Sequence, residues 1–233
     1  MKQKGNNIGW CDKTANPVCG CDNGCTYCYA RSMNNRFHWV PDFSKPQFFP
    51  NRLKEFRTKE PMIIFIDSMS DIGWWEWEWF MHTAKQMFNY PRNVYLALTK
   101  QYAAIQKIQD WFSDIDDMMG WEKEYMPRFF IGATITNNAQ AQAVIEAGGA
   151  DFISFEPLLE QIKPELLDQL RCMWWIVGDL TKNGKPQGVT QYEWVCNMEY
   201  LSDKYDIPMF TKDSLCNGLN KSFLRAFPKG WKE

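Results

Sequence analysis

Short apolar runs alternate along the chain with longer segments of helical pattern. Six of the runs are too short for buried helices and are mostly rich in β-branched or aromatic residues, so they predict strands. These runs are residues 62–66, 94–98, 129–133, 152–155, 173–177 and 209–210. Because they are apolar almost throughout, they are typical of parallel strands that are covered on both faces.

Helical segments lie between these strands, at residues 103–112, 139–147, 164–170 and 191–205. The repeated β-then-α order predicts a parallel sheet with right-handed crossovers. With a further strand near residues 8–12, the chain has about seven βα units. We therefore predict an α/β fold, a full or partial (β/α) TIM-type barrel of about six to seven parallel strands.

Two further features bear on the organisation of the chain. No low-complexity linker interrupts residues 1–233, which indicates a single domain. Residues 71–82 are ambiguous, because Trp75-Glu76-Trp77-Glu78-Trp79 alternates like a strand. The helix formers that follow favour a helix after a short loop.

Composition and charge narrow the class of protein. Apolar residues make up 45% of the chain and charged residues 23%, which indicates a globular protein. Lys and Arg number 26 against 28 Asp and Glu, so no overall basic excess favours tight non-specific DNA binding. No segment has the length of a membrane span or the pattern of a secretory signal, and we expect a cytoplasmic protein with reduced thiols.

Five of the 8 cysteines crowd the start of the chain. They are Cys11, Cys19, Cys21, Cys25 and Cys28, whereas the other three are scattered. Clustered reduced cysteines in a cytoplasmic chain indicate a metal or cluster site.

The spacing within this group is CxxxCxxC over Cys21, Cys25 and Cys28, with Tyr27 before the last cysteine. Three thiolates on a 4Fe–4S cluster leave one iron open to a small molecule. A zinc knuckle of Cys19 with these three residues, with or without His38, is one alternative. Zinc sites usually present two separated cysteine pairs, which does not favour the zinc knuckle. A second alternative is a ferredoxin in which Cys11 or Cys19 is the fourth ligand.

The cysteine spacing and the aromatic residue resemble the radical S-adenosylmethionine signature. That resemblance implies that Cys21, Cys25 and Cys28 bind the cluster, and that the methionine part of S-adenosylmethionine chelates the fourth iron. It also implies an external one-electron donor such as flavodoxin or ferredoxin.

Several blocks, in order along the chain, resemble a bacteriophage-associated radical-SAM-like family of unknown function. This resemblance also implies distant kinship with spore photoproduct lyase, a DNA-repair enzyme. The chain departs from many family members in three ways. The spacer between the first two cluster cysteines is shorter, Cys11 stands where Thr is more usual, and Ala15 stands where Trp is more usual. The blocks are residues 8–17 (IGWCDKTANP), 28–30 (CYA), 49–53 (FPNRL), 66–71 (IDSMSD), 98–100 (LTK), 154–159 (SFEPLL) and 210–212 (FTK).

Polar residues follow the predicted strands, where barrel enzymes place their sites. The resemblance puts Ser68, Ser70 and Asp71 near the methionine amino group. From their places at strand ends, we expect Lys100 to pair with its carboxylate, and Thr134 or Glu156 to hold the ribose hydroxyls.

Two residues at the last strand are candidates for catalysis, Lys212 and Cys216. A thiol at the barrel mouth can return a hydrogen atom to a substrate radical, a role implied by the photolyase-like branch. The alternative for Cys216 is a buried structural cysteine, and strand-end Ser, Thr, Asp and Asn also serve as ordinary helix caps.

The substrate is the least determined part of the function. Residues 31–60 carry seven cations against three acids, interleaved with aromatic residues, which suits a nucleotide or nucleic acid. The alternative is a solvated connection whose aromatic residues pack on the barrel, and the acidic residues Asp67, Asp71, Glu76 and Glu78 oppose a polyanion. A non-catalytic iron–sulfur or zinc module that binds a protein partner is the alternative function.

Overall fold

The computed structural model describes residues 8–120, 126–182 and 185–232. These residues form an α/β fold with eleven described strands. In chain order they are β1 (Lys13–Thr14), β2 (Val18–Cys19), β3 (Gln47–Phe48), β4 (Ile63–Phe65), β5 (Val94–Thr99), β6 (Arg128–Thr134), β7 (Phe152–Phe155), β8 (Trp175–Val177), β9 (Thr181–Lys182), β10 (Lys185–Pro186) and β11 (Met209–Thr211).

The helices follow the strands in the alternating order that the sequence predicts. Two 3₁₀ helices, Pro50–Phe56 and Ile72–Trp74, occur in the connections. The described α-helices are α1 (Tyr29–Phe37), α2 (Trp77–Asn89), α3 (Ala104–Met119), α4 (Asn138–Glu146), α5 (Pro164–Leu167), α6 (Tyr192–Tyr205) and α7 (Asp213–Leu219).

Seven strands form one sheet in the order β1-β4-β5-β6-β7-β8-β11. The pairs β1–β4, β4–β5, β6–β7, β7–β8 and β8–β11 are all parallel. The predicted α/β class and the predicted number of parallel strands are thus confirmed. The sheet order has two ends, β1 and β11, as in a partial barrel.

The sheet strands are apolar because they are buried. All residues of β4, β7, β8 and β11 are buried, and β5 has only one residue that is partly exposed. Consecutive buried residues are expected where both faces of a parallel sheet are covered.

Two compact units divide the chain. The first consists of the described residues of Cys11–Ile131, and the second of Ile8–Trp10 with those of Gly132–Glu233. The strand β6 contributes residues to both units. The prediction of a single domain stays a prediction.

Aromatic side chains build the core of the first unit beside its sheet strands. Phe80 of α2 lies 5.8 Å from the ring of Trp111 of α3 and 5.7 Å from that of Phe129 of β6. Phe112 of α3 lies 5.0 Å from Phe129 and 5.7 Å from Phe88. These contacts fix α2 and α3 against the strand.

Trp174 is at the centre of the core of the second unit. Its ring lies between 5.4 and 6.2 Å from five others, and its indole N–H donates to the carbonyl of Ala226 at 2.8 Å. The five rings belong to Trp10, Phe152, Phe210, Phe227 and Trp231. The abundant aromatic residues of this unit therefore fill a core.

The boundaries differ from the predicted ones at a few elements. The first sheet strand is Lys13–Thr14 rather than residues 8–12, and α3 extends to Met119 rather than to residue 112. The ambiguous segment at residues 71–82 is a 3₁₀ turn followed by α2, which confirms the favoured helix. The antiparallel pair of β2 and β3 and that of β9 and β10 were not predicted.

No helix in the described ranges is both long enough and apolar enough to cross a membrane.

Candidate functional site

The three cysteines of the CxxxCxxC motif lie in one segment between β2 and α1, residues 20–28, here named the cysteine loop. The N–H of Gly20 donates to the carbonyl of Met69 at 3.0 Å, and that of Cys21 donates to the carbonyl of Phe43 at 2.7 Å. Gly20 has a φ of 111°, and a Cβ there would lie 2.8 Å from the Cα of Pro46. Glycine is therefore required where the loop begins.

The three thiols are partly buried and reduced. Cys28 is the residue that precedes α1, and its Sγ accepts a hydrogen bond from the N–H of Arg31 at 3.3 Å. The apolar residues around Cys19 pack against Cys21 and Cys28 and cover one side of the loop.

Burial raises the pKa of the Cys21 thiol to about 12. The negative charges of Asp71, Cys28 and Cys25 act in the same direction, while the N–H of Asn23 opposes them. The three thiols therefore influence one another electrostatically. In the described ranges, no three His, Cys, Asp or Glu side chains are gathered closely enough to hold a single metal ion.

Asn23 lies between the first two cysteines of the motif and anchors the loop. Its Oδ1 accepts hydrogen bonds from Trp74 Nε1 at 2.8 Å and from Gln101 Nε2 at 2.7 Å. Its Nδ2 donates to Asp71 Oδ2 at 2.5 Å. All three partners follow β4 or β5, so one amide holds the cysteine loop at the carboxyl ends of two strands.

Asp71 is buried, with an exposed fraction of 5%. Besides Asn23, its carboxylate accepts from Thr99 Oγ1 at 2.6 Å and from the N–H groups of Gly73 at 2.9 Å and Lys100 at 2.8 Å. Four donors fill the usual acceptor capacity of a carboxylate. Asp71 was predicted to contact the methionine amino group, and the structure shows that it joins the loop to the strand ends.

Asp67 is a second buried carboxylate, four residues earlier. It accepts from the N–H groups of Leu98 and Ile72 at 3.1 Å. Burial, and then the nearby charge of Asp71, raise the pKa of Asp67 well above its usual value. Its contribution to stability is therefore fully present below the pKa of the unfolded chain and is lost as pH rises through the folded-state pKa.

Ser68 and Ser70 lie beside the same loop and are partly buried. Ser68 Oγ donates to Asn16 Oδ1 at 2.9 Å, and Ser70 Oγ accepts from Trp75 Nε1 at 3.0 Å. Both hydroxyl oxygens keep lone pairs that can accept a further hydrogen bond.

Lys100 follows β5 and directs its ammonium group to the ring of Tyr27, at 5.9 Å from the centre. Tyr27 is the aromatic residue of the cysteine motif. No acidic side chain in the described ranges forms an ion pair with Lys100. The structure thus brings Lys100 to the cysteine loop and leaves its charge without a carboxylate partner.

The second unit holds the other predicted site residues. Lys212 Nζ lies 2.8 Å from Glu156 Oε1, and Glu156 Oε2 accepts from Ser154 Oγ at 3.0 Å and from Trp10 Nε1 at 3.2 Å. A Cβ on Gly178 would lie 2.7 Å from Glu156 Oε1, so the strand end needs glycine beside this pair. Glu156 and Lys212, both predicted site residues, are therefore partners of each other.

Thr134 and Cys216 belong to the same unit. Thr134 is buried and pairs in register with Ser154 of β7. Cys216 lies one turn into α7, where its N–H donates to the carbonyl of Lys212 at 3.1 Å. It is partly buried, and its role stays a prediction.

The sequence profile of DUF5131, described as a protein of unknown function, matches residues 5–217. The chain belongs to this family. No curated protein and no solved structure matches the chain. The DUF5131 match includes the cysteine loop, its anchoring residues and the Glu156–Lys212 pair.

Asn23 and Gln101 are the residues that the sequence did not single out. An Asn side chain between two candidate ligands, next to a glycine, is the signal that marks Asn23 as a loop-forming residue. Its partners Trp74 and Gln101 lie 51 and 78 residues away in the chain, so the sequence does not reveal the anchor itself.

Replacement of Asn23 by Ala removes one donor to Asp71 and the acceptor for Trp74 and Gln101. We expect Asn23→Ala to lower the free energy of unfolding by about 1–3 kcal/mol, because the buried carboxylate of Asp71 and the partly buried amide of Gln101 each lose a hydrogen-bond partner. Urea denaturation measures this change. Asp22→Ala, at the exposed neighbouring position, is the control, and equal effects of the two variants would contradict the anchoring role.

The Glu156–Lys212 pair is testable by a double-mutant cycle. We expect Glu156→Gln and Lys212→Met each to destabilise the protein, and the double variant to lose less than the sum, with a coupling of about 0.5–3 kcal/mol. The exposed Asp42–Lys45 pair, replaced in the same way, is the control and should show no measurable coupling. Additive effects at Glu156 and Lys212 would show that the two charges act separately.

Proposed function

We propose that the chain is a radical S-adenosylmethionine enzyme in which Cys21, Cys25 and Cys28 hold a 4Fe–4S cluster. The observation that carries this proposal is the place of the three thiols. They lie in a loop that Asn23 ties to the carboxyl ends of β4 and β5, the edge where α/β proteins bind ligands. A seven-stranded parallel sheet, as in a partial TIM-type barrel, is compatible with a radical SAM core.

The donor set suits a cluster with one open iron. The cysteine loop offers three thiols, which are the usual ligands of iron–sulfur clusters. A single tetrahedral zinc ion requires its thiolates within about 4 Å of one another, since each Zn–S bond is about 2.3 Å long. In a four-iron cluster each thiolate binds a different iron, so the thiols stand farther apart.

When bound and reduced by a one-electron donor such as flavodoxin or ferredoxin, the cluster would supply the electron that cleaves S-adenosylmethionine. The products of this cleavage are methionine and a 5′-deoxyadenosyl radical, which abstracts hydrogen from the substrate. The residues of the chain bind and orient the reactants. Lys100 has the charge needed to pair with the methionine carboxylate, and its ammonium group lies 5.9 Å from the ring centre of Tyr27, the aromatic residue of the cysteine motif.

The methionine amino group donates hydrogen bonds and therefore needs acceptors. The hydroxyl oxygens of Ser68 and Ser70 have acceptor capacity left after their contacts with Asn16 and Trp75. Asp71 has none left, and we assign it to positioning, because it fixes both the loop and the N–H of Lys100.

In the second unit we propose Thr134 and Glu156 as partners of the ribose hydroxyls, and Lys212 and Cys216 as catalytic residues. Lys212 orients the carboxylate of Glu156 through the 2.8 Å contact. The thiol of Cys216, one turn along α7, would give a hydrogen atom to a substrate radical and become a thiyl radical. One electron from the same external donor and a proton from water would restore the thiol.

A nucleotide or nucleic acid is the proposed class of substrate. In the first unit, Arg36 lies over the ring of Phe37 at 5.1 Å, and the Phe37 and Trp39 rings stack at 5.2 Å. Cations beside exposed rings suit phosphates and stacked bases. Asp67 and Asp71 are buried, so half of the acidic run that opposes a polyanion does not face the solvent.

The cluster is testable by anaerobic reconstitution. We expect about four iron and four sulfide ions per chain, as a cuboidal cluster requires. Cys21→Ala, Cys25→Ala and Cys28→Ala should each abolish the cluster. Reduction in the presence of S-adenosylmethionine should yield 5′-deoxyadenosine, measured by chromatography.

Cys172→Ala and Cys196→Ala are the controls and should retain the iron and sulfide. Stoichiometric zinc without sulfide would favour the alternative of a zinc module. A stable cluster that yields no 5′-deoxyadenosine, with or without nucleotide substrates, would favour a non-catalytic iron–sulfur module that binds a protein partner.

Nucleic-acid binding should weaken as salt rises, because phosphate contacts release counterions. We expect Arg36→Ala and Lys54→Ala, both at exposed positions, to weaken the binding of single-stranded DNA or RNA by about threefold or more each. Lys85→Ala, an exposed position of α2, is the control. Binding that is absent or insensitive to salt would point to a small molecule or a protein as the substrate.

A further inference from the structure

A polar cavity of about 390 Å³ lies at the end of α7 in the second unit. Its volume is within the range of about 300–1,000 Å³ that is usual for small-molecule sites. It is lined by Cys216, Asn217, Asn220, Lys221, Ser222 and Arg225. Two of these side chains are cations, two are amides and none is a carboxylate.

The two cations of the cavity retain the capacity to bind an anion. Lys221 Nζ lies 5.4 Å from the ring of Tyr192, and no acidic side chain in the described ranges forms an ion pair with it. Arg225 pairs with Asp213 through Nη1 only. A guanidinium group has five N–H donors, so most of those on Arg225 are left for a ligand.

The surrounding chain is basic. Residues 212–232 contain five Lys and Arg but a single acidic residue, in a chain whose net charge is −2. The C-terminal end of α7 by itself disfavours an anion. However, the carbonyl groups of Cys216 and Asn217 are already occupied by the N–H groups of Lys221 and Asn220.

Aromatic rings border the cationic side of the cavity. Tyr192 is 42% exposed, and its ring lies 5.8 Å from that of Phe223. An exposed ring beside a lysine is a surface on which a base can stack while the cation holds a phosphate.

We propose that this cavity binds the phosphate group of a nucleotide. Lys221 and Arg225 bind the phosphate oxygens, the amides of Asn217 and Asn220 and the hydroxyl of Ser222 donate further hydrogen bonds, and the base stacks on Tyr192. The site does not involve the cysteine loop, so it stands or falls independently of the cluster. The thiol of Cys216 lines the site and reports on its occupancy.

Calorimetric titration of the 233-residue chain tests the proposal with three probes: adenosine monophosphate, adenosine and inorganic phosphate. We expect the nucleotide to bind more tightly than either of the others, and its affinity to fall with added salt. Lys221→Ala should weaken nucleotide binding about tenfold, since the phosphate loses a hydrogen bond from a charged group. Lys229→Ala, an exposed lysine outside the cavity, should change the affinity less than twofold.

Alkylation of Cys216 tests whether the nucleotide binds in this cavity. Saturating nucleotide should slow the reaction of Cys216 with iodoacetamide about fivefold or more, because Cys216 lines the cavity and the bound ligand blocks access to its thiol. Peptide mass spectrometry follows the rate, with Cys172 as the reference. If Arg225→Ala fails to fold, Arg225→Lys is the substitute, because it keeps the positive charge. Arg225→Lys should weaken the binding of the nucleotide and leave the affinity for adenosine unchanged.

Three outcomes would overturn the proposal. They are the absence of nucleotide binding, equal affinity for adenosine and the nucleotide, and nucleotide binding that neither protects Cys216 nor responds to Lys221→Ala. Each leaves the iron, sulfide and 5′-deoxyadenosine measurements unchanged, so failure of this site is distinguishable from failure of the proposed enzyme.

Discussion

The buried carboxylate of Asp71 joins the cysteine loop to the sheet. Removal of an ionised carboxylate from water is unfavourable unless its oxygens are hydrogen-bonded. Here four donors satisfy it, and they come from the loop, the 3₁₀ turn after β4 and the end of β5. The position of the thiols therefore depends on one charge and one amide, Asn23, which are distant in sequence.

This arrangement places several negative or ionisable groups close together. Asp67 and Asp71 are both buried, and the resulting repulsion adds to burial in raising the pKa of Asp67. The same Asp71 charge adds to burial in raising the pKa of Cys21. The metal centre that we propose for these thiols would replace their protons and relieve this repulsion, so metal affinity and the stability of the loop would be coupled.

The sequence predicts the sheet well, because strands that are buried on both faces consist of consecutive apolar residues. Residues 152–155 match β7, and residues 94–98 lie within β5. The first strand is displaced because Trp10 and Cys11 are buried outside any strand, so apolar character at residues 8–12 marks the core rather than the sheet.

The site is less predictable, because a strand-end position shows where a polar side chain lies but not what it contacts. Lys100 and Lys212 occupy equivalent positions in the sequence pattern, each directly after a strand. Lys212 has Glu156 as its partner, whereas Lys100 faces a tyrosine ring. Only the fold distinguishes them, and the distinction decides their chemistry. An anionic ligand group would compete with Glu156 for Lys212, but among the described residues no carboxylate forms an ion pair with Lys100. The cation best suited to recruit a carboxylate beside the cysteine loop is therefore the one that the fold leaves unpaired.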